Sequence, residues 1–253
     1  MAGTGGEARD GDAVSARPLD ASPVAELPHL PLVDEVEQLD AAEPRPTWRG
    51  WIHTVITPVA AVAGVVLVAL ANGAEAKTAS LVFAITSLLL FGNSALYHRV
   101  DWSPRVKRTL KRVDHANIFL LIAGTYTPLS LLALPPGPGI VLLCVVWAVA
   151  LLGIGFRVFW IGAPRWLYVP IYIGLGWAAA MDFGPLFDAN PTMMLLFVVG
   201  GLLYTGGAVA YGLKRPNPFP GRFGFHEIFH TCTVVAFLCH WTATLLIALH
   251  PVP

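Results

Sequence analysis

Two histidines one helical turn apart, with a carboxylate beside the first, are enough to hold a metal ion and move a proton. The stretch FGFHEIFHTC carries that arrangement as His226, Glu227 and His230, reading H-E-x-x-H. On a helix the i and i+4 imidazoles share one face, which is how helical metalloproteases hold zinc, with the glutamate as general base. A second i, i+4 pair, Ser94 and His98, lies in GNSALYHR, and Asp114 opens the run DHANIFLL. Three histidines with one open position match catalytic zinc, which lowers the pKa of a water in that position towards about 7. A carboxylate such as Asp114 could accept or orient that proton, and a hydroxyl such as Ser94 could hydrogen-bond the same water. Whether these residues meet depends on the elements that carry them.

Those elements are membrane spans. The 253 residues are 55% hydrophobic and only 13% charged, with mean hydropathy +0.63, against about 25% charged residues in a soluble domain. Residues 1–47 differ from the rest. They hold ten acids against Arg9, Arg17 and Arg45 and are rich in Pro, Ala and Gly, which predicts a disordered acidic tail. No basic n-region precedes an apolar core there, so it does not read as a signal peptide. Residues 48–253 form one membrane domain. A span needs about 20 apolar residues, and seven candidates occur: 51–71, 79–98, 114–133, 139–156, 166–181, 192–213 and 225–249. The fifth is the shortest. The expected fold is an all-α bundle of seven transmembrane helices in the plasma membrane.

Lys and Arg orient it. The second, fourth and sixth connections hold Arg99, Arg105, Lys107, Arg108, Lys111, Arg112, Arg157, Arg165, Lys214, Arg215 and Arg222, whereas the other three hold Lys77 alone. The N-terminus is therefore expected in the cytoplasm and the C-terminus outside. On that frame Ser94, His98, Asp114, His226 and His230 lie at one depth, on three helices, near the cytoplasmic surface. Ionisable residues in spans are costly and mark function. Blander roles fit each residue singly. The histidine pair suits a helix interface, Asp114 at a helix start suits the macrodipole, and Ser94 suits back-bonding to its own helix. Ser94 and Asp114 also suit a supporting position that fixes a histidine tautomer.

Other polar residues read as structural. His115 and His53 are assigned to the membrane boundary, His240 to a helix-packing hydrogen bond, and Cys144, Cys232 and Cys239 to small buried hydrophobes. Trp51, Trp160 and Trp166 fit an aromatic belt. Gly124 and Pro128 suggest close packing or a kink in the third span. Glu227 is expected to face Arg222 or the basic second connection. The partners implied are membrane lipids; no nucleic-acid motif is present.

The stretches GNSALYHR, DHANIFLLIAGTYTPLSL and FGFHEIFHTC together resemble the haemolysin III branch of the progestin and adipoQ receptor family, over nearly all of residues 51–249. The resemblance implies seven helices with the N-terminus inside and a Zn2+ site formed by His98, His226 and His230, with Ser94 and Asp114 near the water. The adiponectin receptors carry Gln at the position of Glu227, which argues against Glu227 as the base and against a soluble-type metalloprotease. The same constellation is similar to that of alkaline ceramidases and implies hydrolysis of a lipid amide or ester. Two other expectations stand beside it: a receptor-like sensor with structural zinc, and the cytolytic activity that the branch name implies. No span carries a polar stripe long enough to line a pore.

Overall fold

The computed structural model describes residues 46–251, so the expected acidic tail lies almost wholly outside the described residues. The described chain is helical. Its elements are α1 (Trp51–Leu70), α2 (Ala74–Arg99), α3 (Pro104–Leu132), α4 (Pro136–Phe159), α5 (Arg165–Gly176), a 3-10 turn (Ala178–Asp182), α6 (Phe183–Ala189), α7 (Pro191–Leu213) and α8 (Phe225–Leu249). Proline opens α3, α4 and α7, where its missing N–H is no loss and its fixed φ suits the first turn. In α7 the Asn190 side chain also accepts the Met193 N–H at 2.9 Å.

Six helices, α1, α2, α3, α4, α7 and α8, are long and apolar enough to cross a membrane. α1 buries the narrow stripe Ile56, Ala60, Gly64 and Leu67, spaced at i+4 and i+3 along one face. Val55, Val59, Val62 and Val65 remain exposed on its other side, as suits contact with lipid tails. α3 is the central helix, buried at nearly every position from Ala123 to Leu132. Consecutive helices pack pairwise from α1 to α4, and α7 packs on α8. The last helix closes against α1, α2 and α3.

The fifth expected span, 166–181, is not one helix. α5 stops at Gly176 after 12 residues, about 18 Å of rise where a bilayer core needs about 30 Å. A 3-10 turn and α6 follow. Tyr126 on α3 stabilises the break: its hydroxyl donates to the Gly176 carbonyl at 2.8 Å and accepts from the Ala179 N–H at 2.9 Å. A non-helical backbone is tolerated within an apolar bundle when buried groups satisfy it in this way.

Several local expectations also change. α3 begins at Pro104, so Arg105, Lys107, Arg108, Lys111 and Arg112 lie on its first turns and not in a connection. His53 and His115 are buried inside the protein. The Nδ1 of His115 lies 2.7 Å from the Lys111 carbonyl, and the His115 carbonyl accepts the Tyr172 hydroxyl at 3.2 Å. Of the cysteines, all free, Cys144 is exposed and Cys232 and Cys239 are half-buried. The Nε2 of His240 on α8 lies 3.2 Å from the Phe197 carbonyl on α7, a contact between helices as expected.

Candidate metal centre

His98 ends α2, and His226 and His230 occupy the first turns of α8. The two helix ends meet. The Nε2 atoms of His98 and His226 are 3.3 Å apart, and one ring nitrogen from each of the three histidines lies within 4.8 Å of the others. The rings are mutually edge-on, with centroids 4.5–5.3 Å apart, so they converge without stacking on one another. His230 is buried and the other two are half-buried. The set fits a metal ion. Nitrogens bound at about 2.0–2.1 Å to one tetrahedral zinc lie roughly 3.3 Å apart, close to the spacing of His98 and His226.

Asp114 lies in the third turn of α3, ten residues past Pro104. That position removes the macrodipole explanation, which applies to the first turn only. Its side-chain partners are the Ser94 hydroxyl and the Asn93 amide of α2. Asn93 also donates to the Leu110 carbonyl at 3.2 Å. Deeper in the bundle, Asn117 donates to Leu89 O at 2.8 Å. These bonds lock α3 to α2. Ser94, itself buried, stands one turn behind His98, so Asp114 is joined to the histidine end of α2 through it.

Glu227 turns out to be neither free nor paired as the sequence suggested. Its carboxylate is 1% exposed and accepts Arg49 Nε at 2.6 Å through Oε1 and Gly224 N–H at 2.9 Å through Oε2. Thus Arg49, not Arg222 or the basic stretch, is its partner. The second bond satisfies a free N–H at the start of α8. The segment before α1 is held further by Thr47 N–H to Gly221 O at 3.1 Å and Trp48 N–H to Arg222 O at 3.3 Å. Gly50 has φ 80°, and a Cβ there would stand 2.8 Å from His98 Cβ; only glycine allows the chain to pass so close to that histidine. On the opposite side, Tyr211 meets His226 edge-on at 5.7 Å, with Arg165 over the Tyr211 ring at 4.5 Å.

The residue that sequence reasoning missed is His53. Its ring stacks on His230 with centroids 3.8 Å apart and planes 9° from parallel. Its position near the start of an apolar helix looked like a boundary, and only the packing of α1 on α8 brings it to the centre.

Six helices apolar enough to cross a membrane, packed around a largely buried polar cluster, define a multi-pass integral membrane protein with a candidate metal centre at one end of the bundle. The chain belongs to the Haemolysin-III related family, whose profile matches residues 42–241 and so includes all five residues of the constellation. It is 36% identical over 152 residues to the Hemolysin-3 homolog of Bacillus subtilis (strain 168), covering 59% of this chain and 68% of the relative. To the Hemolysin-3 of Bacillus cereus it is 35% identical over 159 residues, covering 62% and 69%. A shorter match, 37% over 79 residues, links it to the ADIPOR-like receptor IZH2 of Saccharomyces cerevisiae and supports the relation to the progestin and adipoQ receptors; it covers 28% of this chain and 23% of that one.

Proposed function

We propose that this protein is a zinc-dependent hydrolase of a lipid amide or ester. The observation that carries the reading is the convergence of His98, His226 and His230, with the half-buried Asp114 hydrogen-bonded to Ser94 one turn behind His98. The three histidines would hold zinc, which when bound supplies a Lewis acid and brings the pKa of a water down to about 7. Asp114 would be the residue that accepts a proton there, its carboxylate held in place by the Ser94 hydroxyl and the Asn93 amide. The Glu227 carboxylate takes no part, because Arg49 and the Gly224 N–H already occupy it.

The chain crosses seven times, the broken path through α5, the 3-10 turn and α6 being one crossing. Its N-terminus is cytoplasmic, as the distribution of Lys and Arg supports. A second reading is a receptor-like sensor in which the metal only ties α2 to α8. The side-chain contact of His98 with His226 across those two helices favours it, as does the receptor name of the yeast relative.

Asp114→Asn separates the two. In the hydrolase, purified Asp114→Asn keeps its zinc, measured by mass spectrometry, and loses turnover of fluorescent long-chain acyl amides and esters that the wild type cleaves. Undiminished turnover in the variant would remove Asp114 from the reaction. A zinc-loaded wild type inert towards the whole panel would favour the sensor.

A further inference from the structure

We infer that His53 is a positioning residue of the candidate metal centre: its ring, stacked flat on His230, sets the plane in which that imidazole meets a metal. The inference rests on the metal reading above. His53 is 2% exposed, neither Nδ1 nor Nε2 makes a well-formed hydrogen bond, and the backbone group that interacts with the ring is that of His230. A buried polar ring so poorly satisfied carries a free-energy cost, so bulk alone gives no reason for an imidazole here. Its contacts supply one. One face of the ring lies on His230 at 3.8 Å and 9°. Phe91 meets it edge-on at 5.2 Å and 77°, and Phe91 is backed by Phe237 at 5.1 Å. Phe91 and Phe237 are themselves fully buried, so the His53 ring cannot swing away without displacing the core.

His53 is not a fourth ligand. A metal bound to an imidazole lies in the plane of that ring, and one ion cannot lie in the planes of two stacked, near-parallel rings. The metal-capable set among the described residues is His98, His226 and His230. Ligating imidazoles are commonly oriented by a hydrogen bond on the far nitrogen. For His230, contact over the whole ring face does this work. The backing is rigid because α1 itself is fixed to α8 through Arg49 and Glu227.

The test compares wild type, His53→Ala and His53→Phe, each as the full chain in detergent. Two readouts are taken: zinc affinity against a chromophoric chelator, and the visible absorption of the cobalt-substituted protein, which reports ligand geometry. His53→Ala is expected to bind zinc about tenfold more weakly, within the range for losing a supporting partner of a metal ligand, and to change the cobalt spectrum. His53→Phe, which keeps a stacking ring, is expected to recover both. If His53→Ala does not fold, His53→Leu, which has bulk and no ring, takes its place. An Ala or Leu variant equal to wild type in both readouts overturns the inference, as does a folded Phe variant as poor as Ala. Wild type that takes up neither metal overturns the metal reading and this inference together, whereas metal uptake unchanged by the loss of the ring overturns this inference alone.

Discussion

Replacing Arg49 by alanine tests whether the start of the membrane domain is latched to its last helix. The Glu227 carboxylate is 1% exposed and Arg49 is 22% exposed, with Nε 2.6 Å from Oε1. Removing one partner of a fully buried pair costs about 3–5 kcal/mol, because the other charge is left without compensation. Two features lower the figure here: Arg49 reaches solvent, and Glu227 keeps the Gly224 N–H at 2.9 Å. The expected loss is about 2–3 kcal/mol. Glu227→Gln retains an oxygen for the Gly224 N–H and loses only the charge, at a cost of about 1–2 kcal/mol. In the double variant no buried charge is stranded, so its loss should fall short of the two single losses combined. Tryptophan fluorescence during denaturant unfolding in detergent reads all four proteins. An Arg49→Ala stability within about 0.5 kcal/mol of wild type, or strict additivity in the double variant, would refute the argument. Glu227→Gln is further expected to keep its metal and any turnover. Loss of metal in that variant would restore the H-E-x-x-H reading.

Two further outcomes follow from the packing and the charge distribution. A methyl group at Gly124 would overlap Thr86, whose Cβ and Cγ2 would stand 2.8 and 2.9 Å away, so Gly124→Ala should cost about 1–3 kcal/mol by overpacking. Gly155→Ala, where nothing lies within 4 Å of the added carbon, should be neutral or stabilising; equal losses at both sites would contradict the close approach of α3 to α2. For orientation, single cysteines replace Lys77 or Arg105, both exposed, in a background without Cys144, Cys232 and Cys239. A membrane-impermeant maleimide should label the first in intact cells and the second only after lysis, and the opposite pattern would invert the assigned topology.

The three-histidine cluster was legible because local rules sufficed. The i, i+4 spacing paired His226 with His230, and the Lys and Arg distribution brought the end of α2 to the same side as the start of α8. The position of Asp114 within α3 was misjudged because apolar content marks where a helix is hydrophobic and not where it starts. Ser103 and Pro104, a start signal, were present ten residues earlier. The break after Gly176 was hidden in a continuous apolar run, since what stabilises it is a phenol on another helix, Tyr126. His53 and the partner of Glu227 were out of reach for the same reason. A ring stack and an ion pair that bridge 177 and 178 residues of sequence leave no local pattern.

The pairing of the first helix with the last has a consequence for biogenesis. Arg49 and His53 leave the ribosome long before Glu227 and His230, so the constellation forms only after α8 has emerged. Contacts of such long sequence separation close late. Until α8 inserts, Trp241 cannot donate to the Ala63 carbonyl, a bond of 3.0 Å that ties the same two helices deeper in the bundle. A chain that stalls before residue 225 would lack α8 and with it His226 and His230, two of the three clustered histidines. The polar site therefore assembles only once α8 is in place.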